Sequence, residues 1–318
     1  SCVKETMMKL SVIIPVHDRA ELLERCLASV EAQSWRPLQV VVVDDGSSDA
    51  SAQVALAWGS RVAAPDFEVE VLTQAQAGAA SARRAGAGRA TGQVLAFFDS
   101  DDTMRPDFAR AIMEAFASRP GCELVFWKRM QHHAGRSRVL PYRRRLSLAT
   151  HVVHCQLSTQ SCAVSRGLYD RSGGWDPGLP RWNDWELGIR YICSLHGPAV
   201  GIGRVLADIL VHPDSITGDS FLAAAGHLEK SLMAALAFAA TLPDSRQHHL
   251  RRLIAYKTAI LAALYTREGD PELGRKTLRT ALDLLPYTAC RHILKCVYAY
   301  TCRGLRGADR WAIPLIVH

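Results

Sequence analysis

An α/β fold with a mainly parallel sheet flanked by helices, followed by an all-helical C-terminal extension, is predicted by three observations. Short apolar runs recur at 11–16, 38–43 and 94–98, each of strand length and buried in character. Segments of helical periodicity alternate with them over short connections, the pattern of a parallel sheet with right-handed crossovers. From residue 222 onward the chain turns Ala/Leu-rich and reads as helix throughout.

Residues 11–16 (SVIIPV) form the first predicted strand. A helix over 20–33 follows, with Leu22, Leu23, Cys26, Leu27 and Val30 on one face and Asp18 as its expected N-cap. Residues 38–43 (LQVVVV) are a second buried strand that ends in Asp44-Asp45-Gly46-Ser47. A helix over 50–58, a short strand over 68–72 and an Ala/Arg helix over 79–90 come next. The strand at 94–98 (VLAFF) ends in Asp99, Asp101 and Asp102, and Pro106-Asp107 opens a helix that runs to 118. A strand is expected over 122–128, then an irregular, Arg/Gly/Pro-rich stretch over 129–183. An amphipathic helix over 184–195 and one or two strands over 200–211 complete the α/β part. Four helices are predicted beyond it, over 222–241, 246–266, 271–284 and about 287–303. Residues 278–286 resemble half of a tetratricopeptide hairpin, and one unit makes no repeat array.

Apolar content of 48% and charged content of 22% place the 318-residue chain among ordinary globular proteins. No apolar run reaches the roughly 18–20 residues that a membrane-spanning helix needs, and residues 1–10 lack the features of a secretory signal. Residues 1–9 are expected to be disordered or extraneous, with Met7 or Met8 as a candidate natural start. Nine scattered cysteines without a CxxC pair argue against zinc and suit reduced thiols in a cytoplasmic protein. The net charge of +7 is uneven. Residues 1–222 hold 24 Lys/Arg and 24 Asp/Glu, whereas residues 223–318 hold 14 and 7. A second basic run lies between Lys128 and Arg145. Such patches attract anions.

Three strand ends carry polar groups: Pro15-Val16-His17-Asp18, Asp44-Asp45 and Asp99 to Asp102. In an open parallel sheet they converge on the crevice where ligands bind. Asp-x-Asp offers hard oxygen ligands to Mg²⁺ or Mn²⁺, which can clamp a diphosphate; helix capping is the plainer use of the same acids. No GxGxxG follows the first strand and no GxxxxGK[ST] occurs, against a dehydrogenase and a P-loop NTPase. A nucleotidyltransferase would need a Gly-rich basic signature after that strand, which PVHDRAE does not supply.

The blocks SVIIPVHDRAELLERCLASVEAQ, VVVVDDGSSD, GAASARRAGAGRATGQVLAFFDSDD and GGWDPGLPRWNDWEL, in this order over about residues 10–215, resemble a family 2 glycosyltransferase of GT-A fold. The resemblance implies inverting transfer from a nucleotide-diphospho-sugar, usually UDP-linked, to an acceptor hydroxyl. It places Pro15, Val16 and Asp18 around base and ribose, Asp44 on the base with Asp45 beside it, and Arg83 towards the acids and phosphates. Asp99 and Ser100 fall to the nucleotide-sugar, and Asp101, Asp99 and His212 to Mn²⁺ or Mg²⁺. Asp102 is expected behind them or as a helix cap. The family's base is the Asp of a Glu-Asp pair. Here the pair reads Asn183-Asp184, so Asp184 is the expected base and Glu186 the second choice. Without the acidic neighbour, the carboxyl of Asp184 is expected to ionise somewhat more readily. Asn183 is also the one sequence feature in favour of an alternative, a non-catalytic glycosyltransferase-like scaffold. Trp175, Trp182 and Trp185 gather on the acceptor side, where aromatic faces can stack on sugars.

Residues 10–221 are thus expected to form the transferase domain, with 10–128 as its donor half and 129–221 as its acceptor half. The basic helical region 222–318 is expected to touch an anionic membrane, peripherally on the inner face, if the acceptor is a lipid-linked saccharide of the cell envelope. No nucleic-acid motif is present.

Overall fold

The computed structural model describes residues 8–212 and 220–317. The chain divides into two units, Ser1–Leu146 with Gln156–Pro213, and Ser147–Cys155 with Asp214–His318. The segment 147–155, expected within the acceptor half, clusters with the C-terminal helices.

The first unit is built on a sheet whose parallel part is β1 (Leu10–Val16), β2 (Leu38–Asp44), β3 (Phe67–Thr73) and β4 (Val94–Phe97), in spatial order β3-β2-β1-β4. Beyond β4 the sheet turns mixed. The 2-residue β5 (Thr103–Met104), β6 (Leu124–His133), β7 (Arg136–Val139), β8 (Cys162–Ser165) and β9 (Ala199–Leu210) extend it as β4-β8-β6-β9-β5, with β7 in a hairpin on β6. That hairpin and β8 lie inside the stretch expected to be irregular.

The apolar runs work because both faces of the sheet are covered. Side chains alternate along a strand, so Val12, Ile14, Val40, Val42, Ala96 and Phe98 pack on one side with α1 (Ala20–Glu31), α2 (Ser51–Val62) and α4 (Phe108–Ala117). Ile13, Val41, Val43, Leu95 and Phe97 pack on the other with α3 (Ala79–Arg89), and with Leu168, Trp175, Leu187 and Tyr191 from further along the chain. Gly86 lets α3 press against the sheet: a Cβ there would come within 2.5 Å of the Ile13 side chain.

The expected N-cap of α1 differs. Asp18 lies one position too early, with φ at +47°, and its carboxylate accepts from the N–H groups of Ser48 (2.6 Å) and Asp49 (3.2 Å) in the β2–α2 loop. The N–H of Ala20, in the first turn, is instead met by the Asp49 carboxylate at 3.0 Å. The two loops therefore cap one another.

The second unit holds α5 (Leu148–His154), α8 (His227–Ala239), α9 (Asp244–Arg267), α10 (Pro271–Asp283), α11 (Thr288–Cys302) and α12 (Asp309–Val317); α6 (Arg166–Arg171) and α7 (Asn183–Cys193) belong to the first. α12 adds a fifth helix to the four expected after residue 222. Asp270 caps α10 through the Leu273 N–H at 2.8 Å, and Pro271 occupies the first helical position. The core of this unit is formed by α9, α11 and α12 through Tyr256, Ala259, Leu294, Val297, Ala312 and Ile316. No helix among the described residues is long and apolar enough to cross a membrane.

Candidate active site

Register brings the strand ends to one edge. Pro15 lies opposite Val43 and Val16 opposite Asp44, while Phe98 N–H donates to Ile13 O at 2.9 Å and so sets Asp99 just beyond β4. Pro15 and Val16 are buried in this corner.

The two acids at the end of β2 have separate surroundings. Both are buried. Asp45 accepts three hydrogen bonds, from Gln74 Nε2 (2.7 Å) and the N–H groups of Ala77 (2.9 Å) and Gly78 (2.8 Å), and so fastens the loop that leads into α3. Asp44 keeps a buried carboxylate oxygen, Oδ1, with no hydrogen-bond partner. A buried acceptor without a donor costs about 1–3 kcal/mol, and a bound ligand with an N–H at that point would remove the cost. Gly46, at φ +74°, makes the corner possible: a Cβ there would sit 2.8 Å from Gln76 N.

The acids after β4 form a cluster. Ligand oxygens of Asp99, Asp101 and Asp102 lie within 4.8 Å of one another. Arg83, almost fully buried, donates to Asp99 Oδ1 at 2.5 Å and stacks over the Trp175 ring at 4.6 Å. Arg19 donates to Asp101 Oδ2 at 2.6 Å, and His212 Nε2 stands 3.1 Å from the same oxygen. Asp102 is the inward member. It accepts from Leu210 N–H at 2.9 Å, which ties β9 to the cluster, and burial beside Asp101 and Asp99 pushes its carboxyl well up. It caps no helix: Asp107 precedes α4, and its carboxylate pairs with Arg204 at 2.6 Å. Ser100 is buried between its acidic neighbours.

Two residues joined to this site carry no sequence motif. Gln160 donates through Nε2 to both Asp99 and Asp102, the latter at 2.6 Å. It is held by a Ser158–Ser161 capping box on a single 3₁₀ turn, and its carbonyl accepts from Trp127 Nε1 at 2.8 Å. The Ser-x-x-Ser spacing of Ser158 and Ser161 was the available signal. Arg129, counted in the sequence among the anion-attracting basic run, instead donates to Ser158 and exerts its charge on Asp184 and Cys162.

Across the cluster, α7 begins after Trp182, whose φ of +51° turns the chain sharply. Asp184 is half-buried and accepts from Trp185 N–H at 2.8 Å. Burial pushes its carboxyl up from the ordinary 3.8, and the nearby charge of Asp99 adds to this; Arg83 and Arg129 pull it back. The expected easier ionisation is therefore opposed by burial. The Cys162 thiol beside it is pushed up to about 12 by burial, which leaves it unreactive. Glu186 is differently placed. Arg190 grips it with two bonds, at 2.7 and 2.6 Å, and the same guanidinium donates to Gly174 O at 2.7 Å. Asn183 donates to Leu179 O at 3.1 Å. Of the three tryptophans, Trp175 and Trp185 are core residues, and Trp182 packs on Trp185 at 5.6 Å.

Hard oxygens from Asp99 and Asp101, with His212 alongside, are a donor set that fits Mn²⁺ or Mg²⁺. Beside Asp101 opens a cleft of about 370 Å³ that Arg25, Arg105, His132 and Asp208 also line.

Residues 11–163 match the model of glycosyl transferase family 2. These residues, just under half of the chain, carry the pattern of that family. Over 105 residues, a third of its length, the chain is 36% identical to the uncharacterized glycosyltransferase YibD of Escherichia coli, and the match spans 29% of that relative. Among solved structures, S. aureus TarS in complex with UDP-GlcNAc superposes with a TM-score of 0.73 at 14% identity, over 95% of this chain and 91% of that one. The mannosyltransferase PcManGT from Pyrobaculum calidifontis, in complex with GDP-Man and Mn²⁺, gives 0.57 at 17% identity, over 94% and 88%. At such identities the structural likeness establishes the fold, a mainly parallel GT-A sheet with C-terminal helices.

Proposed function

We propose that this glycosyltransferase moves a sugar, by single displacement with inversion, from a UDP-linked donor to a hydroxyl of a saccharide or lipid-linked saccharide. The observation that carries the proposal is the convergence on one sheet edge of three different carboxylate environments. Asp44 has an unpartnered buried oxygen, Asp99 and Asp101 form an acidic pair held by Arg83 and Arg19, and Asp184 has a carboxyl raised by burial within electrostatic reach of Asp99.

Asp44 accepts the ring N–H of the base, which supplies the donor its Oδ1 lacks. Pro15, Val16 and the Asp18 loop wall that corner, and Asp45 holds the facing loop in place. Asp99, Asp101 and His212 would hold Mn²⁺ or Mg²⁺, and a metal bound there would supply positive charge against the nucleoside diphosphate. Arg83 orients Asp99 and adds positive charge on the same side. Asp184 takes the proton of the acceptor hydroxyl as its oxygen bonds to the anomeric carbon and the bond to the diphosphate breaks. Its raised carboxyl is a better proton acceptor than an exposed Asp, while Glu186 is already neutralised by Arg190. TarS and PcManGT, whose solved complexes hold UDP-GlcNAc and GDP-Man with Mn²⁺, are consistent with a nucleotide-sugar donor. The basic helical region serves as a peripheral contact with an anionic membrane.

A panel of UDP- and GDP-sugars, incubated with the protein and Mn²⁺ or Mg²⁺ and read as released nucleotide, tests the proposal. Release from at least one UDP-sugar, abolished by EDTA and restored by metal, is the expected result. No release and no binding of any donor would leave the scaffold reading standing.

A further inference from the structure

We propose that α12 lays its outward face on an anionic lipid bilayer. The proposal narrows the expectation of membrane contact for the helical region to one surface; it rests on that expectation and is independent of sugar transfer. α12 is apolar on both sides. Ala308, Ala312 and Ile316, four apart, are buried against Tyr256, Leu294 and Val297. Trp311, Pro314 and Leu315, three and four apart, face outward, with Leu315 59% and Trp311 36% exposed. Leu305, 47% exposed, precedes the helix. At the far end Arg252 donates to Val317 O at 3.1 Å and lies 5.8 Å from the ring of Tyr287, itself 60% exposed. Four of the seven large apolar side chains exposed among the described residues thus follow the length of this one helix. A helix facing water on one side normally carries polar residues there.

The charge around the strip says what covers it. Arg303, Arg306 and Arg310 are exposed at the start of α12, and Arg291 and Lys295 on α11. From residue 284 onward the only acid is Asp309, half-buried with its carboxylate 3.5 Å from His154. A second copy of the chain would set two basic rims against each other. An anionic bilayer offers phosphate to the rim and hydrocarbon to the strip at once.

Cosedimentation of the full chain with vesicles of phosphatidylcholine, alone or mixed with phosphatidylglycerol, tests this at low salt. Binding to the mixed vesicles, reversed by salt, is expected. An exposed arginine is worth about fivefold in partitioning, so the pair Arg303→Ser and Arg306→Ser should bind about 25-fold more weakly. Leu315→Glu should lose at least about tenfold with an unchanged melting temperature. Wild-type binding retained by Leu315→Glu overturns the assignment to α12 and leaves the regional expectation intact. Failure of the wild type to bind the mixed vesicles overturns both, and equal binding to phosphatidylcholine overturns the role of charge. A wild-type dimer that Leu315→Glu dissociates, without vesicle binding, assigns the face to a second copy instead.

Discussion

The corner after β2 and the start of α7 each present two nearby acids, and in each the fold commits one of them. Asp45 is saturated by three donors and Glu186 by the fork of Arg190, whereas Asp44 keeps a bare buried oxygen and Asp184 a raised carboxyl. In both pairs the acid at the element's terminus is the one left for chemistry, and its neighbour is the one the fold consumes. What separates the members is whether the chain supplies enough donors to saturate the carboxylate, three on Asp45 and a guanidinium fork on Glu186 against one N–H on Asp184.

The sharpest way to break the comparison is at α7. Asp184→Asn keeps the Trp185 N–H bond and should lower kcat by about 10²–10⁴, the usual worth of a general base, with UDP affinity unchanged by calorimetry. Glu186→Gln should do the opposite. It leaves Arg190 buried without its charge partner, at about 3–5 kcal/mol of stability, read as a fall in melting temperature, with kcat retained in the folded fraction. An exchange of these two outcomes would make Glu186 the base. At β2, Asp44→Ala should weaken UDP binding about ten- to hundredfold, the worth of a hydrogen bond to a charged group, with little loss of stability. Asp45→Ala should cost stability first, about 1–3 kcal/mol, because buried N–H groups of the 77–78 loop lose their acceptor.

The smallest effect is the pH dependence of Asp184. A folded-state pKa raised above 3.8 means the folded protein binds the proton more tightly than the unfolded chain. Stability then falls as pH rises from 3.8 through the folded value. Asp184→Asn should therefore melt higher than the wild type at neutral pH, and the gap should shrink as pH is lowered towards 3.8. A gap independent of pH would mean the burial of Asp184 carries no charge cost.

β1, β2 and β4 were legible because both their faces are buried and their runs at 11–16, 38–43 and 94–98 are uninterrupted, whereas β3, at the sheet edge, showed itself by alternation. The acids were legible because each follows such a run. Gln160 and Arg129 were not, since neither lies in a patterned element and both reach the site through a 3₁₀ turn and a strand edge set by tertiary pairing. The β6–β7 hairpin escaped for the same reason: exposed Arg-rich strands lack an apolar alternation to reveal them. Asp18 was placed as a cap by proximity alone, while the cap that forms comes from Asp49, 29 residues away along the chain from the N–H it serves. α12 went unseen behind Pro314, which sits inside it.

Arg83 and Arg84 are sequence neighbours that point from α3 in two directions. One grips Asp99; the other donates to Trp175 O at 2.9 Å and so pins the turn that precedes α7. A single helix pressed on the sheet at Gly86 therefore acts as a gauge block between donor and acceptor sides. On the proposed function, that helix sets the spacing between Asp99 and the turn before Asp184 whatever the length and composition of the loops on either side.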